Sequence, residues 1–288
     1  MGHVVGAAIV SHVPPIVAAP DVLAEIYGPS GTTLVGGLHR MRREKLDHLD
    51  IDTVVVFDSH WFTTVEHIMT AHRRRAGLFT SEELPRGMTQ MPYDIPGDPE
   101  LAEAFQAAGQ RDGRTRVLAC ADPHLPIRYA TTNLLPFLQG DEAWVSASIC
   151  QTAEPADYLL AGELLGQAIA GLDRNVVLLA SGGLSHRFWP MSQFDQHEHA
   201  DPIHIRSDEA RAADEHVLAL LEAGDHAGVI DYYPEFRPFF PEGFFGHYLL
   251  MVGAIGGRAC TAPGTRFSDY ESSAGTGQVH IWFDGPFA

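Results

Sequence analysis

The chain has 288 residues, 45% of them hydrophobic, which suits a globular protein able to bury a full core. Its 37 acidic and 19 basic residues give a net charge of −18, so little positive field is available to neutralise phosphates, and nucleic acid and anionic membrane surfaces are excluded as partners. Cys120, Cys150 and Cys260 lie far apart with no C-x-x-C pair and read as thiols of a reducing compartment. The N-terminus lacks a signal-peptide pattern, and no apolar run approaches the roughly 20 residues needed to span a bilayer, so a soluble, cytoplasmic protein is expected.

Residues 3 to 10 read as a first buried strand, ended by Ser11-His12-Val13-Pro14-Pro15 because proline removes ladder donors. A loop rich in Pro and Gly is expected to about Gly37, then an amphipathic helix carrying Leu38, Met41, Leu46 and Leu49. Thr53 to Phe57 holds three consecutive valines and suits a strand covered on both faces, turning polar at Asp58-Ser59-His60. This strand–helix–strand start implies a right-handed parallel crossover. A short strand is expected over His67 to Ala71, and Met91 to Gly97 reads as irregular. Asp98-Pro99-Glu100 is a helix start, with a capping acid, proline in the first turn and a second acid to meet the dipole.

Further strands are expected over Arg116 to Ala121 and Ala143 to Cys150, separated by a polar loop from Asp122 to Asn133 and a short helix. Helices over 155–172 and 207–223, the second closed by Gly224, flank a third apolar strand over 176–181. Residues 231–246 are aromatic and proline-rich, 247–256 read as helix, and 277–283 as a closing strand. Neither a repeat nor a linker divides the chain. The expectation is an α/β fold, a single domain over 1–288 with a central, mostly parallel sheet flanked by helices.

Three of the strands run into a histidine at the same edge: His12, His60 and His186. In open α/β sheets the carboxyl edge is where ligands bind. Taken singly, each histidine is more often a structural hydrogen-bonder; together they make a site. Two histidines and a carboxylate that leave positions open are the donor set expected for non-haem Fe(II). Glu242, in Pro241-Glu242-Gly243, is the best-placed acid, although an acid at a helix start that meets the dipole is an equally open reading. Asp58 competes for the ligand role or orients His60 from behind. His39, His48, His67, His72, His197, His199, His204, His216 and His226 lie in charged stretches and read as solvated surface.

The segments Ser11-His12-Val13-Pro14, Asp58-Ser59-His60-Trp61, Ser181-Gly182-Gly183-Leu184-Ser185-His186 and Pro241-Glu242-Gly243 resemble the class III extradiol ring-cleavage dioxygenases, the family of the protocatechuate 4,5-dioxygenase β subunit. Thr80 to Pro85 and Ser273 to Val279 are similar to the branch that acts on 3,4-dihydroxyphenylacetate, and the 2-aminophenol branch is also similar. The resemblance implies Fe(II) held by His12, His60 and Glu242, with His186 as the acid–base residue. It implies a catechol such as 3,4-dihydroxyphenylacetate and O2 as substrates, a muconic semialdehyde as product, and a homo-oligomer. A 2-aminophenol-type enzyme is the alternative within the family, and a zinc-dependent hydrolase on the same three residues is the alternative outside it.

Some members carry Asp-His-Gly where this chain has Asp122-Pro123-His124-Leu125, and His124 stands as a candidate substrate contact. Tyr129 resembles the tyrosine that follows this loop in two branches; it is assigned a hydrogen bond to substrate or oxygen, with half-buried packing as the competing use. Arg187 is a candidate partner for a substrate carboxylate, with a structural ion pair as its competing use. Trp61, Phe244 and Phe245 are candidate pocket walls.

Overall fold

A computed structural model describes residues 1–28 and 31–287. The elements follow in chain order as β1 (His3–Val10), α1 (Pro20–Tyr27), α2 (Thr33–Glu44), β2 (Thr53–Thr63), β3 (His67–Thr70), β4 (Arg74–Phe79) and β5 (Met91–Pro96). Next come α3 (Pro99–Asp112), β6 (Val117–Cys120), α4 (Tyr129–Thr132), α5 (Leu135–Leu138), β7 (Ala143–Cys150), α6 (Pro155–Ala170) and β8 (Asn175–Ser181). The C-terminal part holds α7 (Phe194–His197), α8 (Asp208–Ala223), α9 (His226–Phe236), α10 (Gly246–Ala254), β9 (Gly264–Arg266), β10 (Glu271–Ser273), β11 (Thr276–Gln278) and β12 (Ile281–Asp284).

Eight strands form one sheet in the order β6-β3-β7-β2-β8-β1-β12-β9. The four in the middle, β7, β2, β8 and β1, are mutually parallel, which brings the ends of β1, β2 and β8 to one edge. Period-2 alternation splits each central strand between two cores. Val55, Phe57, Leu178 and Ala180 face α3, α6 and α10, whereas Val54, Val56, Val177 and Leu179 face α2 and α5. Both faces are therefore dry, as the unbroken valine run of β2 requires.

Several elements depart from expectation for identifiable reasons. The loop foreseen up to Gly37 contains α1, and α2 begins at Thr33, capped by the Thr32 hydroxyl, which accepts from the Leu34 N–H. Gly37 sits inside α2 because a Cβ there would lie 2.4 Å from the Phe267 carbonyl oxygen. Met91 to Pro96, foreseen as irregular, pairs with β4 in a two-stranded antiparallel ribbon. The closing strand is broken into β11 and β12 by Val279-His280, where the buried His280 ring accepts at Nδ1 from the Ser11 N–H and donates from Nε2 to the Leu34 carbonyl. Among the described residues no helix is long and apolar enough to cross a membrane.

Candidate active site

The edge of the sheet supplies the site through three local devices. β2 loses register with β7 between Asp58, opposite Ser148, and Phe62, opposite Ile149. Ser59, His60 and Trp61 thus leave the ladder, and such a bulge re-aims the side chains it carries. Asp58, fully buried, fixes the bulge by accepting from the His60 N–H at 3.0 Å and the Thr131 hydroxyl at 2.6 Å. It supports the backbone of His60 and leaves the imidazole to other partners. His12 lies just beyond β1, where the Asn133 amide donates to its carbonyl at 2.8 Å.

Glu242 is delivered by an unusual turn. Gly243, Phe244 and Phe245 all have left-handed backbones, with φ of 55°, 58° and 59°. Two phenylalanines held there carry strain that the surrounding packing must offset. Gly243 also passes close to the bulge: a Cβ would lie 3.1 Å from that of Ser59. The result places the Glu242 carboxylate between the Ser59 hydroxyl, which donates to Oε1 at 2.6 Å, and the Gly183 N–H, which donates to Oε2 at 2.6 Å.

Hydrogen-bond bookkeeping fixes what these groups present to one another. The Ser181 hydroxyl has one hydrogen, and the Ala130 carbonyl at 2.6 Å can only accept it. His12 Nδ1, 3.0 Å from the same oxygen, must therefore be the donor. Its Nε2 then carries a lone pair, 3.2 Å from Glu242 Oε1. His60 Nδ1 faces the Glu83 carboxylate at 3.1 Å and donates to it, so in the neutral ring Nε2 likewise turns a lone pair toward Glu242 Oε1 at 3.2 Å.

One ligand atom from each of His12, His60 and Glu242 thus lies within 4.8 Å of the other two. Acceptors that converge in this way, largely out of solvent, call for a positive charge among them. A proton answers the same demand: burial works to lower His60, but the Glu242 and Glu83 carboxylates outweigh it and lift the imidazole to about 10. Burial works to raise Glu242, yet His12 and His186 hold it well below the usual carboxylate range. Two imidazoles and one carboxylate grouped on one side, with space opposite, fit a non-haem Fe(II) ion or zinc.

Two further groups border this cluster. His186 Nε2 stands 3.7 Å from Glu242 Oε2, and burial pushes its imidazole below the ordinary value, against the pull of Glu242. The Tyr129 hydroxyl lies 2.6 Å from His60 Nε2 and 3.2 Å from Glu83 Oε2. Burial, reinforced by Glu242 and Glu83, raises Tyr129 far above its usual range, so it remains a protonated donor. All five residues open into a cavity of about 710 Å³, whose outer walls include Val13, Val22, Ile26, Phe188 and Phe194.

Of the residues singled out in the sequence, the structure brings together His12, His60, Glu242, His186 and Tyr129. Five others stand apart. Trp61 is turned into the protein by the bulge and does not line the cavity. His124 is exposed in a turn closed by its own N–H donating to the Asp122 carboxylate, outside the cavity. Arg187 stacks on Phe240, 4.0 Å from the ring centroid, and neither lines this cavity nor meets an ion-pair partner among the described residues. Phe245 belongs to the core and Phe244 to the surface.

Two histidines read as solvated are buried: His67 packs on Tyr158, and His226 bonds the Tyr248 hydroxyl and the Ala262 carbonyl. The orienting groups Glu83, Ser181 and Ser59 were not singled out. Each lies inside a segment already quoted for its resemblance, and that was the available signal.

Comparison with known proteins places this geometry in context. A family model described as the catalytic LigB subunit of aromatic ring-opening dioxygenase matches residues 6–284. The 3,4-dihydroxyphenylacetate 2,3-dioxygenase of Escherichia coli is 28% identical over 262 residues, covering 89% of this chain and 91% of that protein. The crystal structure of an uncharacterized protein from Escherichia coli K12 superposes with a TM-score of 0.65 at 17% identity, covering 97% of this chain and 99% of that one, which bears on the fold alone. With the match spanning nearly its whole length, the chain belongs to the family of LigB-type catalytic subunits of aromatic ring-opening dioxygenases.

Proposed function

We propose that the protein is a non-haem Fe(II)-dependent extradiol dioxygenase, a single catalytic domain that opens the ring of a catechol beside its two hydroxyls and yields a muconic semialdehyde. The observation that carries this reading is the convergence of two imidazole lone pairs and one carboxylate oxygen at the inner end of a cavity wide enough for a substituted ring. His12, His60 and Glu242 would hold the metal. Bound there, the ion supplies a Lewis acid that lowers the pKa of a phenol and offers open positions for two substrates.

The protein's own groups do the rest. Apolar walls from Val13, Val22, Ile26, Phe188 and Phe194 orient the ring and exclude water. His186, kept neutral by burial, is the base that takes a phenolic proton at Nε2 and later returns it. Tyr129, kept protonated, would donate a hydrogen bond to the substrate from its place beside His60. Glu83 and Ser181 hold the imidazoles of His60 and His12 in the tautomer that leaves Nε2 free. Free Cys120, Cys150 and Cys260 support a cytoplasmic setting. The exposed Phe240 and Phe244 are compatible with a contact between copies in a homo-oligomer.

The test is an oxygen-electrode screen of substituted catechols and 2-aminophenols with protein loaded with Fe(II) under argon. O2 uptake with a yellow product supports the reading. Hydrolytic activity with zinc and no O2 dependence would replace it with the zinc-hydrolase alternative.

A further inference from the structure

The cavity is charged asymmetrically. Beyond the donor cluster its lining carries Glu25 on α1, Asp195 on α7, and Glu198, and among the described residues neither Lys nor Arg lines it. None of these three acids forms an ion pair among the described residues. Glu198 accepts from the Ser273 hydroxyl at 3.2 Å, and burial, with Asp195 adding to it, pushes its carboxyl above the usual range. Three arginines are engaged elsewhere: Arg128 pairs with Glu82, Arg187 stacks on Phe240 and Arg206 on Trp189. The net charge of −18 adds a long-range field of the same sign.

An anionic ring substituent would therefore enter a cavity that repels it and offers no partner, whereas a cation would meet unpaired acceptors. We propose that this cavity selects a catechol whose short ring substituent carries an ammonium group, and disfavours ring carboxylates of the kind named for the Escherichia coli relative. This rests on the ring-opening reading for the catechol end. Glu198, Asp195 and Glu25 form the outer half of the pocket, the apolar belt holds the ring, and the donor cluster takes the diol.

Three catechols of matched size separate the charge from the ring: 4-(2-aminoethyl)catechol, 4-ethylcatechol and 3,4-dihydroxyphenylacetate. Calorimetric titration of Fe(II)-loaded protein under argon reads binding without turnover. The amine should bind tightest and the acid weakest, with about 10- to 100-fold between them. The double variant Glu198→Gln, Asp195→Asn should cut the preference of the amine over 4-ethylcatechol by about 10-fold and strengthen binding of the acid. An acid that binds as tightly as the amine, or an amine preference unmoved in the double variant, overturns the proposal. Admitting air then tests the underlying reading separately. If the predicted order of affinities holds and no catechol consumes O2, charge selection stands and ring opening falls; if O2 is consumed with the acid preferred, the reverse.

Discussion

Ser181→Ala probes the proton arrangement on which the donor cluster depends. Ser181 ends β8 and is fully buried; its hydroxyl accepts from His12 Nδ1 at 3.0 Å and donates to the Ala130 carbonyl at 2.6 Å. Alanine leaves one buried N–H and one buried C=O without partners, at about 1–3 kcal/mol each, so the metal-free protein should lose about 2–6 kcal/mol. A second effect follows from the tautomer. With no acceptor at Nδ1, the His12 proton can move to Nε2, where Glu242 Oε1 at 3.2 Å would accept it, and the ligand atom is then capped. Losing such an orienting partner lowers metal affinity about 10- to 100-fold. Urea unfolding of the metal-free proteins at equal m gives the first quantity, and an Fe(II) competition titration under argon gives the second. Wild-type stability together with wild-type affinity would show that His12 does not commit its Nδ1 proton to Ser181.

Three other outcomes are expected. His186→Ala should retain the metal and the catechol yet lose about 10²–10⁴-fold in kcat, because the imidazole moves a proton and holds no ligand position; loss of metal in this variant would refute that division. Gly243→Ala puts a Cβ on a residue at φ 55° and 3.1 Å from that of Ser59. The backbone penalty is about 1–2 kcal/mol, and displacement of Ser59 from Glu242 should weaken Fe(II) binding; unchanged affinity would refute the contact. Asp214, fully buried, accepts from Ser185 N–H, Ser185 hydroxyl and Tyr270 hydroxyl, and burial outweighs those bonds to push it up to about 7. The folded state then holds a proton that the unfolded chain releases near pH ~4, so stability falls as pH rises from about 4 to about 7, by up to about 4 kcal/mol. Asp214→Asn should remove that part of the slope in urea unfolding at about pH 5 and pH 8, and an identical slope would count against the assignment.

Much of the fold was legible because the central strands are buried on both faces, and burial of that kind writes itself as unbroken apolar runs such as Val54-Val55-Val56. Polar residues ending three such runs pointed to one edge, and the parallel order β2-β8-β1 brings them there. Local capping chemistry was equally readable: Asp98 caps α3, and Gly224 closes α8 in a left-handed conformation. Tertiary contact hid the rest. α2 starts three residues before two glycines, Gly36 and Gly37, that on propensity alone deny a helix, and Gly37 is there for the close approach of Phe267. Two prolines masked β5, because an edge ribbon tolerates residues that an interior strand would not. In the site, side-chain direction was the missing quantity. Nothing in the order Ser185-His186-Arg187 says that one side chain is anchored on Asp214, the next enters the cavity and the third leaves it.

The placement of the donors and of the outer wall on different kinds of structure has a consequence for how such a protein can change. His12, His60 and Glu242 are clamped by sheet ends, a register break and a strained turn, each tied to buried neighbours that tolerate little alteration. The surfaces that would sort one ring substituent from another come instead from α1, from the segment after His186 and from the β10–β11 hairpin. Exchange of those peripheral stretches can redirect substrate choice while the metal grip is inherited intact, so the chemistry of a relative is a safer inheritance than its substrate.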